Sequence, residues 1–400
     1  MGYIRQQYIH KLKEYKYSGV DHSLVSRYIL KPFYQNVVIK CFPMWMAPNL
    51  ITLTGLGFVV FNVLTLLWFN PTLDQDCPSW VYASWAIGLF LYQTFDAVDG
   101  AQARRTHQSG PLGELFDHGV DAVNTVLEAL IFCGVVNLGQ SWKTIVILWG
   151  SVFTFYIQTW EEYHTHTLTL GIVSGPVEGV LILCAIYGIT ASTGGSFWHQ
   201  AALPTLGIPQ YDWIPDVVYQ AHFTTFHMIQ GASVCLFNVG ASIAQALNAV
   251  KARGGNRRQA LKGLLPALEM WVLVCIYLYL QPGVLHCCTI GLILYIGLMN
   301  AFSVSQMICA HVTKAPFPYR NILTLPLYMG IIDSLGRHLG LYSECFMGDH
   351  STFIYVSLGI ALGVYGSFVY DVITSICDYL DIWCLQIKHP YNENNEAKNK

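Results

Sequence analysis

The chain has 400 residues, of which 54% are hydrophobic and 11% are charged. A mean hydropathy of +0.42 excludes an ordinary soluble domain and predicts an all-α polytopic membrane protein. The net charge of −3 is small and no nucleic-acid motif is present, so we expect no nucleic-acid partner. The twelve cysteines lie mostly inside hydrophobic stretches, which argues against a disulfide scaffold.

Residues 1–48 form a polar N-terminal segment, without the short apolar core of a cleavable signal peptide. Within it, residues 21–43 place apolar side chains roughly on one side of a helix, with basic residues interspersed. This pattern predicts an amphipathic helix in the membrane interface, bent at Pro32. A partly buried helix of the kind found in soluble proteins fits the same periodicity and stays open as an alternative.

About ten hydrophobic stretches are long enough to be transmembrane helices. Residues 49–250 hold the first six and all the motifs, and they form the expected catalytic part. Residues 251–387 are expected to be scaffold or the surface of a homodimer, and residues 388–400 a disordered tail. The predicted spans are 49–69, 81–103, 113–138, 142–161, 176–192, 222–250, 262–280, 285–308, 319–336 and 352–385.

The basic residues are distributed very unevenly between the two sides of this topology. All of the 21 lysines and arginines except Lys143 and Arg337 fall on the side that holds both termini. Positively charged loops face the cytosol, so both termini are expected there. The connection between the second and third spans lies on the same side.

Four aspartates converge around that connection. Asp96 and Asp99 share one face of the second helix, and Asp117 and Asp121 share one face of the third. Because the connection is short and polar, the helices are expected to pack as an antiparallel hairpin. The full pattern reads Asp96-x-x-Asp99-Gly100-x-x-Ala103-Arg104, then eight residues, then Gly113-x-x-x-Asp117-x-x-x-Asp121.

Like charges this close repel strongly where the dielectric constant is low, and a divalent metal removes the repulsion. All-oxygen ligands favour Mg²⁺, with Mn²⁺ as a substitute, and the four aspartates are the predicted ligands. The small residues Gly100, Ala103 and Gly113 leave room for a ligand, and the fork of Arg104 suits phosphate. The pattern therefore predicts a diphosphate site. A helix–helix contact is the alternative for one aspartate, but it does not explain four.

The complete pattern resembles the signature of the CDP-alcohol phosphotransferases. The chain is similar in particular to the eukaryotic, especially fungal, choline and ethanolamine phosphotransferases. Three further segments carry this resemblance: Trp45-Met46-Ala47-Pro48-Asn49, Trp160-Glu161-Glu162-Tyr163-His164 and Gly175-Pro176-Val177-Glu178-Gly179. The resemblance implies that Asn49 contacts the nucleotide diphosphate, whereas its residue type alone fits a helix cap equally well.

A lipid hydroxyl is a weak nucleophile, so a general base is expected nearby. His118 lies inside the helix of Asp117 and Asp121, and it is the candidate base, with an interhelical hydrogen bond as the alternative role. The resemblance implies a Glu–His pair, with Glu178 as the partner of His118. In the wider family Asp121 is the usual candidate base, but here we expect it mainly to bind metal. Glu114 is a candidate further polar contact.

The run from Glu161 to His166 also holds metal-capable side chains. They are adjacent in sequence rather than on one helical face, so no second metal site is predicted there.

These features predict an enzyme that transfers phosphocholine or phosphoethanolamine from CDP-choline or CDP-ethanolamine to diacylglycerol. The expected location is the endoplasmic reticulum, with the Golgi as the alternative, and the site faces the cytosol. A membrane prenyltransferase is an alternative, since such enzymes also bind metal diphosphates. It would need a second aspartate-rich motif, which this sequence does not show. A cation transporter that uses the carboxylates as ion ligands is a second alternative. It should show two related halves with broken helices, whereas the carboxylates here lie in one half only.

Overall fold

The computed structural model describes residues 2–171, 175–341 and 349–390, and most of these are helical. In this part of the chain, ten helices have fourteen or more residues. They are α1 (Pro48–Phe69), α2 (Ser79–Arg105), α3 (Pro111–Val135), α4 (Trp142–Thr165), α5 (Val180–Thr193), α6 (Phe223–Ala252), α7 (Leu265–Leu280), α8 (Thr289–Val312), α9 (Leu325–His338) and α10 (His350–Leu380).

Shorter elements connect these helices. The helical pieces are Gln6–Ile9, His10–Glu14, Ser26–Leu30, Lys31–Asn36, Val38–Cys41, Gly175–Gly179, Gly195–His199, Ala202–Thr205, Asp216–Tyr219, Arg257–Leu261, Lys262–Leu264, Val284–Cys287 and Ile322–Thr324. Two three-residue strands, β1 (Gly19–Asp21) and β2 (Leu168–Leu170), pair in parallel. The all-α expectation missed this small sheet. Strands of three residues are too short to show an alternating pattern in the sequence.

Six helices of the described residues are long and apolar enough to cross a membrane: α1, α3, α6, α8, α10 and the helical stretch Arg257–Leu280 that contains α7. The expectation of a polytopic helical membrane protein is therefore confirmed. The other four predicted spans stay predictions. Of these, α2 carries Asp96, Asp99, Arg104 and Arg105, and α5 and α9 have fourteen residues each.

Helices α3 and α8 lie at the centre of the bundle. Most of the apolar window of each is buried, 72% for α3 and 78% for α8. They approach closely at Gly297, where a Cβ atom would come within 2.5 Å of Val126 Cγ1. Helix α3 also packs against α1, α2 and α4. Since α2 ends at Arg105 and α3 begins at Pro111, the predicted antiparallel hairpin is confirmed.

The N-terminal segment packs over one end of the bundle. Strand β1 pairs with β2 just after α4, the Tyr3 N–H donates to Asp371 Oδ2 of α10 at 2.7 Å, and Lys314 beyond α8 pairs with Glu14 at 2.8 Å. These contacts join sequence regions that are far apart.

The predicted interfacial helix consists of two consecutive pieces, Ser26–Leu30 and Lys31–Asn36. Pro32 lies in the first turn of the second piece, where a missing N–H costs little, rather than at a mid-helix bend. Leu30 is buried, while Tyr28 and Ile29 are exposed. Their position in a membrane interface stays a prediction.

Candidate active site

The predicted aspartate site forms where α2 ends and α3 begins. One carboxylate oxygen from each of Asp96, Asp99 and Asp117 lies within 4.8 Å of the others. The helix period places Asp96 and Asp99 one turn apart on α2, and the hairpin brings Asp117 of α3 opposite them. The spacing of these residues thus correctly predicted that they come together.

Asp121 lies outside that group of three. It follows Asp117 by one turn along α3, and its carboxylate accepts a hydrogen bond from the Tyr92 hydroxyl of α2. Asp121 still lies close enough to Asp96 for the two charges to interact. Its direct part in metal binding, and its alternative part as a base, stay predictions.

The aspartate group has the donor set of a hard divalent cation. Asp117 Oδ1 is buried and receives no hydrogen bond from the described residues. Thr52 of α1 donates to Asp99 Oδ2 and so orients it. Buried carboxylates without a cation are costly, and oxygen-only donors suit Mg²⁺ or Mn²⁺, so the residues present fit the expected metal. Sequence reasoning missed Thr52, although it lies one turn after Asn49 on the same face of α1.

Space for a ligand adjoins the metal-binding group. A Cβ atom at Gly100 would meet only Arg104 Nη1, at 3.5 Å, and one at Gly113 would meet only Asn49 Oδ1, at 4.0 Å. The side chain of Arg104 is exposed, and the described residues form no ion pair with it. Ala103 precedes it on the same turn of α2 and is half-buried.

Asn49 does not cap α1, so that alternative is wrong. The N-cap is Ala47, Pro48 follows at the first helical position, and the Asn49 amide donates to the Cys384 carbonyl at 3.1 Å. Its contact with a nucleotide stays a prediction. The segment just before α1 is held against α2, because the Gln102 side chain donates hydrogen bonds to the carbonyls of Pro43 and Met46.

A second polar group lies beside the first. Ligand atoms of Glu114, Glu162 and His311 all lie within 4.8 Å of one another. Glu162 is therefore part of a group that could hold a metal, while the expectation that the Glu161–His166 run forms no metal site of its own stays a prediction. Glu162 at the end of α4 meets Glu114 at the start of α3 and His311 at the end of α8, so its partners come from other helices.

The candidate base His118 belongs to this second group. Its Nε2 lies 3.4 Å from Glu162 Oε2, and His311 Nε2 lies 3.5 Å from Glu114 Oε1. Because α3 and α4 are antiparallel neighbours joined by a short connection, the first turns of α3 face the last turn of α4. The acidic neighbour that the structure gives His118 is thus Glu162.

Glu178, the predicted partner of His118, contacts the N-terminal segment. Its Oε1 accepts a hydrogen bond from Ser23 of the N-terminal segment at 2.5 Å. It precedes α5, which packs mainly against α2 rather than α3. The acidic side chain observed beside His118 is Glu162, and the pairing of Glu178 with His118 and its catalytic part stay predictions.

Tyr17 of the N-terminal segment also faces the site, and sequence reasoning missed it. Partial burial, followed by the negative charges of Glu162 and Asp117, raises the pKa of Tyr17 to about 12. The phenol therefore stays protonated at neutral pH and can donate a hydrogen bond. Long-range contacts of the N-terminal segment, such as the pairing of β1 with β2, hold this residue in place, so no local pattern could have identified it.

A cavity of about 610 Å³ opens beside the second group. Its lining residues include Tyr15, Lys16, Arg253, His311 and Lys314. His166, also in the lining, stacks on His311 with ring centroids 5.4 Å apart. Burial, together with the positive charges of Arg253 and Lys314, lowers the pKa of His166, so it is neutral at pH 7. Lys16, Arg253 and Lys314 place positive charge on the rim of the cavity, and Glu14 adds a carboxylate.

Comparison with known proteins agrees with this geometry. Residues 45–208 match the family model described as CDP-alcohol phosphatidyltransferase. The chain is 42% identical, over 96% of its length and 97% of the relative's, to an uncharacterized CDP-alcohol phosphatidyltransferase class-I family protein of Schizosaccharomyces pombe. It is 39% identical to choline/ethanolaminephosphotransferase 1 of Saccharomyces cerevisiae, over 97% of this chain and 99% of the relative. It is 37% identical to cholinephosphotransferase 1 of the same yeast, over 98% of this chain and 99% of the relative.

Proposed function

Because the chain belongs to the CDP-alcohol phosphatidyltransferase family, we propose that it transfers phosphocholine or phosphoethanolamine from a CDP-alcohol to diacylglycerol. The products are phosphatidylcholine or phosphatidylethanolamine, and CMP. The observation that carries this proposal is the convergence of Asp96, Asp99 and Asp117 within 4.8 Å in a helical membrane protein. Family membership argues against the prenyltransferase and cation-transporter alternatives.

The aspartates of α2 and α3 would hold Mg²⁺, or Mn²⁺ in its place, with Thr52 orienting Asp99. The metal supplies charge neutralisation for the diphosphate and for the CMP leaving group. Arg104 lies on the same helix with an exposed guanidinium, and in the proposal it binds a phosphate oxygen. The openings at Gly100 and Gly113 let the diphosphate approach the helix backbones, next to Asn49.

His118 is the proposed general base. It is 6% exposed and its charge interacts with that of Asp121, which supports a position beside the proposed reacting phosphate. It removes the proton from the diacylglycerol hydroxyl as the oxygen attacks phosphorus. The displacement is direct, without a covalent enzyme intermediate, because the lipid alcohol itself is the nucleophile.

We place the site at the cytosolic side, since the basic side chains around the cavity lie at the end of the bundle that the charge pattern assigns to the cytosol. CDP-alcohols are soluble and would enter from there, whereas diacylglycerol would enter sideways from the bilayer. Residence in the endoplasmic reticulum rather than the Golgi, and assembly as a homodimer, stay predictions.

A membrane assay tests the proposed reaction. Membranes that contain the protein are incubated with diacylglycerol and CDP-choline or CDP-ethanolamine labelled in the headgroup, with Mg²⁺ or with EDTA. We expect label in the lipid extract only when Mg²⁺ is present. Label that stays in water-soluble product, or transfer that EDTA leaves unchanged, would contradict the proposal.

A further inference from the structure

The second polar group is rich in carboxylates that no strong cation neutralises. Among the residues that the structure describes, Glu114 and Glu162 pair with the imidazoles of His311 and His118, at 3.5 and 3.4 Å. Among the described residues, no lysine or arginine forms an ion pair with either carboxylate. The two carboxylates thus have imidazoles as their partners among the described residues, while Arg253 and Lys314 line the adjoining cavity without pairing with them.

These side chains are buried and incompletely hydrogen-bonded. Glu162 is 3% exposed, Glu114 7% and His118 6%. Glu114 Oε1, Glu162 Oε2 and His118 Nδ1 each lack a hydrogen-bond partner among the described residues. Buried carboxylates in this state cost several kcal/mol unless a cation approaches them. The unsatisfied oxygens therefore point to a positively charged ligand.

The group stands at a suitable distance from the diphosphate site. Glu114 precedes Asp117 by three residues on α3, less than one turn of about 5.4 Å. In a CDP-alcohol with an ammonium headgroup, a two-carbon linker separates the phosphate from the nitrogen, and it spans a comparable length. When the diphosphate lies at the aspartates, the headgroup can reach the carboxylates of Glu114 and Glu162.

The surroundings also suit an organic cation. The cavity beside the group is lined by His311 and by Tyr15, whose rings pack edge to face with centroids 6.3 Å apart. The charges of Glu162 and Asp117 also act on Tyr17 of the N-terminal segment. Aromatic faces beside carboxylates are typical of sites that bind ammonium groups.

We propose that Glu114 and Glu162 form the binding site for the ammonium headgroup of the CDP-alcohol, and that they select substrates by headgroup charge. This inference rests on the proposed function, since it assumes a CDP-alcohol at the aspartates. The same donors, two carboxylates and an imidazole, could instead hold a divalent metal. The organic cation is favoured because the substrate itself brings a positive charge to this position.

The test measures binding rather than turnover, so that it does not depend on transfer to diacylglycerol. Purified protein in Mg²⁺ is titrated calorimetrically with CDP-choline and with CDP-3,3-dimethylbutanol, an isostere in which carbon replaces the charged nitrogen. We expect the unmodified protein to bind CDP-choline at least about tenfold more tightly, as one desolvated charge pair would give. Glu162→Gln and Glu114→Gln should each reduce this ratio, and the double variant should bring it close to one.

Glu161→Gln is the matched control. Glu161 is adjacent in sequence and 5% exposed, but it contacts Ser242 of α6 on the other side of α4. Its loss should leave the ratio unchanged. CMP, which has no headgroup, should bind all variants with affinities within about twofold of each other, which shows that the nucleotide site is intact.

Two outcomes would overturn the inference. The first is an unchanged preference for CDP-choline in the double variant when CMP still binds. The second is a bound-metal analysis in which the double variant loses one Mn²⁺ per chain while the preference stays, which would assign the group to a metal. Failure of the proposed function would give a different pattern. The membrane assay would then yield no labelled lipid, while the protein still bound CDP-choline more tightly than its uncharged isostere.

Discussion

Asp117 combines the two properties expected of a metal ligand: its Oδ1 atom is buried without a hydrogen bond, and it lies opposite Asp96 and Asp99 across the α2–α3 hairpin. An amide would keep the size of the side chain but remove the charge that the cation needs. The function of this residue therefore depends on charge rather than on packing.

Asp117→Asn should accordingly lower transfer at least about 100-fold while the protein stays folded, because several kcal/mol of electrostatic stabilisation are lost. Headgroup transfer in membranes and a thermal unfolding curve in detergent measure the two effects. Asp74→Asn, which removes an exposed carboxylate from the α1–α2 connection, serves as the control. Unchanged turnover would remove Asp117 from the metal site.

His118→Ala should lower kcat by about 10²–10⁴-fold and leave the affinity for the CDP-alcohol nearly unchanged, since a base acts in the chemical step. Steady-state kinetics and calorimetric binding separate the two quantities. A variant with weaker nucleotide binding and a normal kcat would reassign His118 to a binding or packing role.

The helix pair α3–α8 joins the catalytic helices to the C-terminal ones. Its closest point is Gly297, where an added Cβ would come within 3.0 Å of three Val126 side-chain atoms, including Cβ. A β-branched side chain has few rotamers and cannot move away easily. Small residues at such crossings let helix backbones approach in a membrane, where packing is a main source of stability.

Gly297→Ala should therefore destabilise the protein by about 1–3 kcal/mol through overpacking. Gly57→Ala is a suitable comparison, because a Cβ there would have no heavy atom within 4 Å. Unfolding temperatures of the two variants in the same detergent measure the difference. Equal temperatures would show that α3 and α8 adjust without cost.

Elements were predictable from the sequence where their signals are local. The aspartates of α2 and α3 share faces because of the helix period, so their convergence followed from spacing and a short connection. The meeting of Glu162 with Glu114 and His311 depends on how α4 and α8 pack, which no local pattern encodes. The same reason explains why Glu162 was not predicted as the neighbour of His118, and why the β1–β2 pairing and Tyr17 were missed.

On the scale of the whole molecule, the distribution of charge defines one polar end. The cavity rim, the aspartate hairpin and the N-terminal segment all lie there, while the connection between α5 and α6 lies at the opposite end of α6 from Arg253. If this polar end faces the cytosol, nucleotide substrates have direct access to it.

An Asn-x-Ser glycosylation site introduced in the exposed stretch 207–212 should therefore be glycosylated in the endoplasmic reticulum, whereas one introduced at 253–256 should not. A mobility shift that glycosidase treatment removes is the measurement. Glycosylation at 253–256 alone would invert the proposed topology.

The hydrogen bond from the Tyr3 amide to Asp371 has a practical consequence for protein engineering. A fusion partner or affinity tag placed directly before residue 1 would crowd α10. It would also disturb the N-terminal segment that carries Tyr17. Purification handles placed there are therefore expected to disturb the packing of the N-terminal segment on α10.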